Sequence, residues 1–149
     1  LEIRCYYISM LPIQKKQLPE KELKRLGVKA LILFGSQALG IAREGSDYDI
    51  GVLLYDNSVL EKPKKRSTLY DALYDILSGV IQKLVNIDIV FLDDAPAELQ
   101  MHVVKHGIPL YEANSCVFLR FKERVALLYA DFAPYRELFH KSILERIPS

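Results

Sequence analysis

The chain has 149 residues, 50% of them hydrophobic and 26% charged, with a formal net charge of +1. That suffices for one domain with a core. It leaves no global field to draw nucleic acid or an anionic membrane, and no apolar run approaches the ~20 residues of a membrane span. Cys5 and Cys116 show no redox or metal spacing, and no basic-then-apolar leader is visible, so reduced thiols and a cytoplasmic protein are expected.

In chain order, residues 1–13 alternate loosely and read as a strand or an N-terminal arm. Pro19 to Leu26 reads as a short helix, with Glu20 and Glu22 near its start and Gly27 as its stop. Val28 to Phe34 is a short apolar run, expected as a buried strand, and it ends abruptly in Gly35-Ser36. A short helix over Gln37 to Ala42, a loop through Ser46 and a second strand over Tyr48 to Tyr55 follow.

The chemistry gathers in this stretch. Strand side chains alternate, so Asp47 and Asp49 point to one side while Tyr48, Ile50, Val52 and Leu54 face a core. Two neighbouring carboxylates raise each other's pKa unless a cation lies between them, and a hard divalent cation takes oxygen ligands together with substrate phosphates. Gly35 lets the backbone approach a phosphate, and Ser36 adds a hydroxyl at a helix start, where free N–H groups favour an anion. Gly-Ser alone or Asp-x-Asp alone occurs in plain turns. The two together, each abutting an apolar strand, carry the functional reading.

Asp56 to Ser67 reads as a polar loop. Its cluster Lys62, Lys64, Lys65 and Arg66 either helps neutralise a triphosphate or is simply solvated. Ser67 is expected to cap a helix to about Val85, with Leu69, Leu73, Ile76, Val80 and Leu84 as its apolar stripe. Asn86 to Leu92 is the third strand. Ile87, Ile89 and Phe91 share one face, and Asp88 stands on the other, where a carboxylate is costly unless paired or metal-bound. Asp88 is therefore the candidate third carboxylate, with Asp93 and Asp94 read as a cap for the next helix, Pro96 to His106. His102 and His106 stand four apart, but no third ligand is nearby, so a surface helix is preferred over a metal pair. Ile108 to Glu112 is a further strand. Residues 114–149 form C-terminal helices, Asn114 to Phe132 and Tyr135 to Ile147, whose aromatic faces either cover the sheet or dock a partner.

Gly35-Ser36, ten residues, then Asp47-Tyr48-Asp49 resembles the Gly-Ser-x10-Asp-x-Asp signature of the nucleotidyltransferase superfamily related to DNA polymerase β. Gly40, Arg43 and Ser46 are similar to its minimal nucleotidyltransferase (MNT) branch, and the chain length and C-terminal half resemble the MNT antitoxins that pair with HEPN-domain toxins. The resemblance implies a single domain with an α/β (α+β) nucleotidyltransferase fold, a small mixed β-sheet flanked by helices. It implies Mg²⁺ held by Asp47, Asp49 and Asp88, and ATP held in part by Gly35, Ser36 and Arg43. It also implies AMP transfer to a hydroxyl, that of a tyrosine on a cognate HEPN toxin, with no membrane and no direct nucleic-acid contact, in a homo- or hetero-oligomer. Gln37 departs from the pattern, because many members carry a basic or aromatic residue there, and one phosphate contact is left open. Two other readings stand beside this one: transfer to a small molecule such as an aminoglycoside, and neutralisation of a partner by binding alone.

Overall fold

A computed structural model of the chain describes Ile13 and residues 17–145. The expected N-terminal arm lies outside the described residues except for Ile13, whose side chain is buried in the core. The first described helix, α1, is Glu20–Arg25, with acidic residues in its first turn and basic residues in its last, the order the helix dipole favours. Gly27, at φ +75°, turns the chain into β1, Val28–Phe34. Helix α2, Gly35–Leu39, follows without a linker and is stopped by Gly40 in the left-handed region, as the glycine C-cap rule expects. Strand β2 is Tyr48–Leu54, helix α3 is Pro63–Ile81 and strand β3 is Ile87–Phe91. Helix α4, Ala97–His106, strand β4, Ile108–Glu112, and helices α5, Val117–Asp131, and α6, Ala133–Leu144, complete the order.

The sheet is mixed, in the order β3-β2-β1-β4. Strand β1 runs antiparallel to both β2 and β4, whereas β2 and β3 are parallel. A parallel neighbour requires a crossover, and α3 supplies it. Strand β1 is apolar apart from Lys29 because both of its faces are covered. Leu31 and Leu33 join α3 in one core, and Ala30, Ile32 and Phe34 join Val103 of α4 and Phe121 and Val125 of α5 in a second. Leu73 is fully buried where α3 meets the sheet. Leu73→Ala is expected to cost about 2–5 kcal/mol, read as a lower urea midpoint with an unchanged m-value.

Three expectations need correction. Helix α3 begins at Pro63, not Ser67, because proline's fixed φ and missing N–H suit a first turn. Its buried stripe is Leu69, Leu73, Leu77 and Ile81, a strict fourfold spacing, and Leu84 lies beyond the helix end, fully exposed. The basic cluster therefore falls at the start of α3, at the end of the sheet opposite Asp49. There Arg66 lies over the Phe91 ring and pairs with Asp94 at 2.6 Å. Asp93 and Asp94 do not cap α4, which has no side-chain cap; Asp93 pairs with Arg124 of α5. On α5 the apolar face divides. Phe118, Phe121 and Val125 are buried, while Leu128 and Phe132 are about half exposed. Helix α6 buries none of its side chains and leaves Tyr135, Phe139 and Ile143 in solvent. No helix among the described residues is long and apolar enough to cross a membrane.

One polar atom in the core stands out. The Tyr111 hydroxyl is buried without a hydrogen-bond partner among the described residues, and burial, then Tyr55 and Glu20, push its pKa above the ordinary 10.0. An unpaired buried hydroxyl costs about 1–3 kcal/mol, so Tyr111→Phe is expected to leave stability unchanged or to raise it by up to ~1 kcal/mol. The raised pKa means the folded state resists ionisation. Relative to the Phe variant, the wild type therefore keeps its stability below pH 10 and loses part of it as pH rises through the raised folded value; thermal melts between pH 7 and 11 check both.

Candidate active site

The site is built where β1, β2 and β3 meet. Phe34, the last residue of β1, is the register partner of Asp49 on β2, and Asp49 is in turn the partner of Asp88 on β3. Partners across a pleated sheet point to the same face. The two aspartates therefore stand side by side on the face of Phe34, and Tyr48 and Ile50 point into the α3 core. Asp47 lies just ahead of β2, exposed, and Asp88 is exposed on β3, where the Asn86 side-chain amide donates to its Oδ1 at 3.1 Å.

Gly35 is fixed by two independent constraints. Its φ of +69° lies in the left-handed region, and a Cβ there would run into the Asp49 carboxylate. The strand-to-helix turn thus presses its backbone against the catalytic-candidate side chain, with Ser36 next in line and half-buried. The loop after α2 is closed by its own polar groups. Arg43 N–H donates to Ser46 Oγ at 2.8 Å, Ser46 N–H donates to the Arg43 carbonyl at 3.0 Å, and Gln37 Nε2 donates to the Ser46 carbonyl at 3.2 Å. Arg43 lines a hollow of about 710 Å³ with Gln37, Ser46, Tyr48 and Lys83, and neither Asp47 nor Asp49 is among its lining residues.

The electrostatics follow from this crowding. Partial burial, then Asp88 and Asp47, hold the Asp49 carboxyl above its ordinary pKa of 3.8, and His102 opposes them. An all-oxygen donor set under mutual repulsion is one that a hard cation relieves. Among the described residues no three His, Cys, Asp or Glu side chains stand close enough to hold a metal by themselves. The register pair Asp49 and Asp88 offers carboxylate oxygens to a cation that would complete its shell with water and substrate phosphates.

His102 is the residue that the sequence reading left on a solvent-facing helix. It is half-buried, edge-on to Phe34 with ring centroids 6.4 Å apart, and 5.0 Å from the His106 ring. The signal that could have placed it is positional. Helix α4 ends directly before β4, and β4 pairs with β1, so the last turn of α4 must come to the Gly35 end of the sheet.

Residues 17–115 match the family model described as "Polymerase beta, Nucleotidyltransferase". The chain belongs to this family. The nucleotidyltransferase is 33% identical, over 102 residues covering 67% of each protein, to the protein adenylyltransferase MntA of Aphanizomenon flos-aquae (strain 2012/KM1/D3). Its fold is similar to that of a solved toxin–antitoxin structure with AMP-PNP, with a TM-score of 0.63 at 23% identity, over 85% of this chain and 99% of that one. It is also similar to the structure of a tri-AMPylated Shewanella oneidensis HEPN toxin in complex with MNT antitoxin, with a TM-score of 0.53 at 21% identity, over 84% of this chain and 95% of that one. The mixed four-stranded sheet flanked by helices is the nucleotidyltransferase fold.

Proposed function

We propose that this nucleotidyltransferase is an antitoxin that transfers AMP from ATP to a tyrosine hydroxyl of a cognate HEPN toxin, in the cytoplasm and with Mg²⁺. The observation that carries the reading is the register pairing of Asp49 with Asp88, beside a glycine whose position the Asp49 carboxylate dictates. The kinship with a protein adenylyltransferase, and the fold shared with a toxin-bound MNT antitoxin, support the choice of acceptor class. The uncovered side chains of α6 suit a chain that works in a complex.

Asp47 and Asp49, with Asp88, are the residues that would hold the metal. Bound there, Mg²⁺ would supply charge stabilisation for the phosphoryl group being transferred. Gly35 and Ser36 hold the phosphate chain through backbone N–H groups and the hydroxyl. Asp88, exposed on the other side of Asp49, takes the proton of the incoming hydroxyl. Arg43, in the loop closed by Ser46, would add a contact to the nucleotide from the hollow it lines beside Tyr48.

The test is incubation of the purified protein with Mg²⁺, ATP labelled at the α-phosphate, and a small helical protein encoded beside it that bears an Arg-x4-His motif. Label on that partner is the expected result. Label found only on small molecules, or nowhere, overturns the proposed acceptor.

A further inference from the structure

We propose that His102 is a substrate-binding residue of this site, donating from its imidazole to the pyrophosphate that leaves as the nucleotidyl group is transferred. The inference rests on the nucleotidyl-transfer reading above. It begins from a deficit. Helix α2, which carries the Gly-Ser turn, contains no charged residue, and its one side-chain amide, Gln37, is committed to the Ser46 carbonyl. Arg43 lies beyond the helix, in the loop that Ser46 closes. Yet departure of a pyrophosphate concentrates charge on the leaving oxygens, and such charge is met by cationic or N–H donors already aimed at it.

Helix α4 brings a donor to that place. Strand β4 pairs with β1 so that Ile108 lies against Leu33, which sets the last turn of α4 over the Gly35 end of the sheet. There His102 stands edge-on to Phe34, planes at 76°, with His106 behind it. Phe34 immediately precedes Gly35 and is the register partner of Asp49. Across the sheet the order is thus His102 above Phe34, then Asp49, then Asp88. Asp88 stands on the side where the acceptor gives up its proton, and His102 on the side of the phosphate turn.

In the step itself the acceptor oxygen bonds to the α-phosphorus. The bond from that phosphorus to the bridging oxygen breaks, and the bridging oxygen leaves with the electron pair as pyrophosphate. The acceptor proton passes to Asp88. His102 adds a hydrogen bond to the departing oxygens, and no proton need leave it.

Two substitutions separate binding from packing. H102L keeps an apolar contact with Phe34 but removes both ring nitrogens, and H102Q retains a donor. In the transfer assay with the partner protein, H102L is expected to lower kcat/KM for ATP roughly 10- to 100-fold, the scale of one charge-assisted hydrogen bond. Binding of inorganic pyrophosphate, followed by calorimetry in Mg²⁺, should weaken by a similar factor. H102Q should recover part of both, with both melting temperatures at the wild-type value. Unchanged pyrophosphate affinity in H102L overturns the proposal. So does an equal loss in both variants accompanied by lower melting temperatures, which would make His102 a prop for Phe34. Asp49→Asn tells the two levels apart. Transfer that survives it sinks the nucleotidyl-transfer reading, whereas a dead Asp49→Asn beside normal pyrophosphate binding in H102L sinks only the role of His102.

Discussion

Asp49→Asn is expected to abolish transfer and, in metal-free buffer at neutral pH, to raise the melting temperature. The two effects share one cause. Asp49 sits partly buried between Asp88 and Asp47, and in the folded protein its carboxyl is held above 3.8. Because the folded pKa is raised, the charged form is more costly folded than unfolded. Relative to a neutral side chain, Asp49 is harmless below pH 3.8, and its penalty develops as pH rises through the folded pKa. Asparagine has the shape of the neutral form and no charge to confine, so the variant's advantage should be full at pH 7 and fade towards pH 4. The same charge is what a cation needs. Charge stabilisation of about 4 kcal/mol corresponds to roughly a thousandfold in rate, so a loss of that size or more is expected in the label-transfer assay. Added ATP with Mg²⁺ should then raise the melting temperature of the wild type and not that of the variant. A variant less stable than wild type at pH 7 without metal would show that Asp49 is not held under repulsion.

Gly35→Ala is expected to damage the same site from the backbone side. A non-glycine residue at φ +69° costs about 1–2 kcal/mol, and the new Cβ would occupy the place of the Asp49 carboxylate. Either the turn shifts or Asp49 swings aside, so a total cost of about 1–3 kcal/mol is expected, with most of the transfer activity lost. A double-mutant cycle isolates the collision. With Asp49 already replaced by Ala, Gly35→Ala should cost only the backbone part, and the difference between the two costs is the coupling. Equal costs in both backgrounds would mean that the carboxylate and the turn do not touch.

Much of this was legible because short-range rules and long-range packing agree here. Strand β1 occupies the span Val28–Phe34 that its apolar run and the flanking glycines mark out, and β2 differs from expectation by one residue at its end. Asp88 could be picked out because its neighbours Ile87, Ile89 and Phe91 form a clean buried face that leaves it on the other. Where local signals compete, the reading slipped. Lys-Pro-Lys-Lys reads as loop by composition, yet Pro63 opens α3, and once the start moves the apolar stripe moves with it. The surroundings of Arg43 and His102 were hidden for a different reason. Each has an unremarkable local setting, and its address is set by tertiary pairing: the Gln37–Ser46 clasp for Arg43, and the β1–β4 register for His102. Sequence periodicity reports which face of an element is buried, and it carries no record of which end of that element meets which loop.

The placement of Asp88 has one more consequence. Strand β3 lies at the rim of the sheet among the described residues, and its sequence, Ile-Asp-Ile-Val-Phe, would otherwise be a five-residue template for another chain to join. A charge at the second position of such a rim resists strand addition by strangers, because the newcomer would have to bury it or place its own side chain against it. The exposed Asp88 carboxylate thus also guards the protein against self-association, and the open flank of the sheet is kept from becoming a seed for fibres.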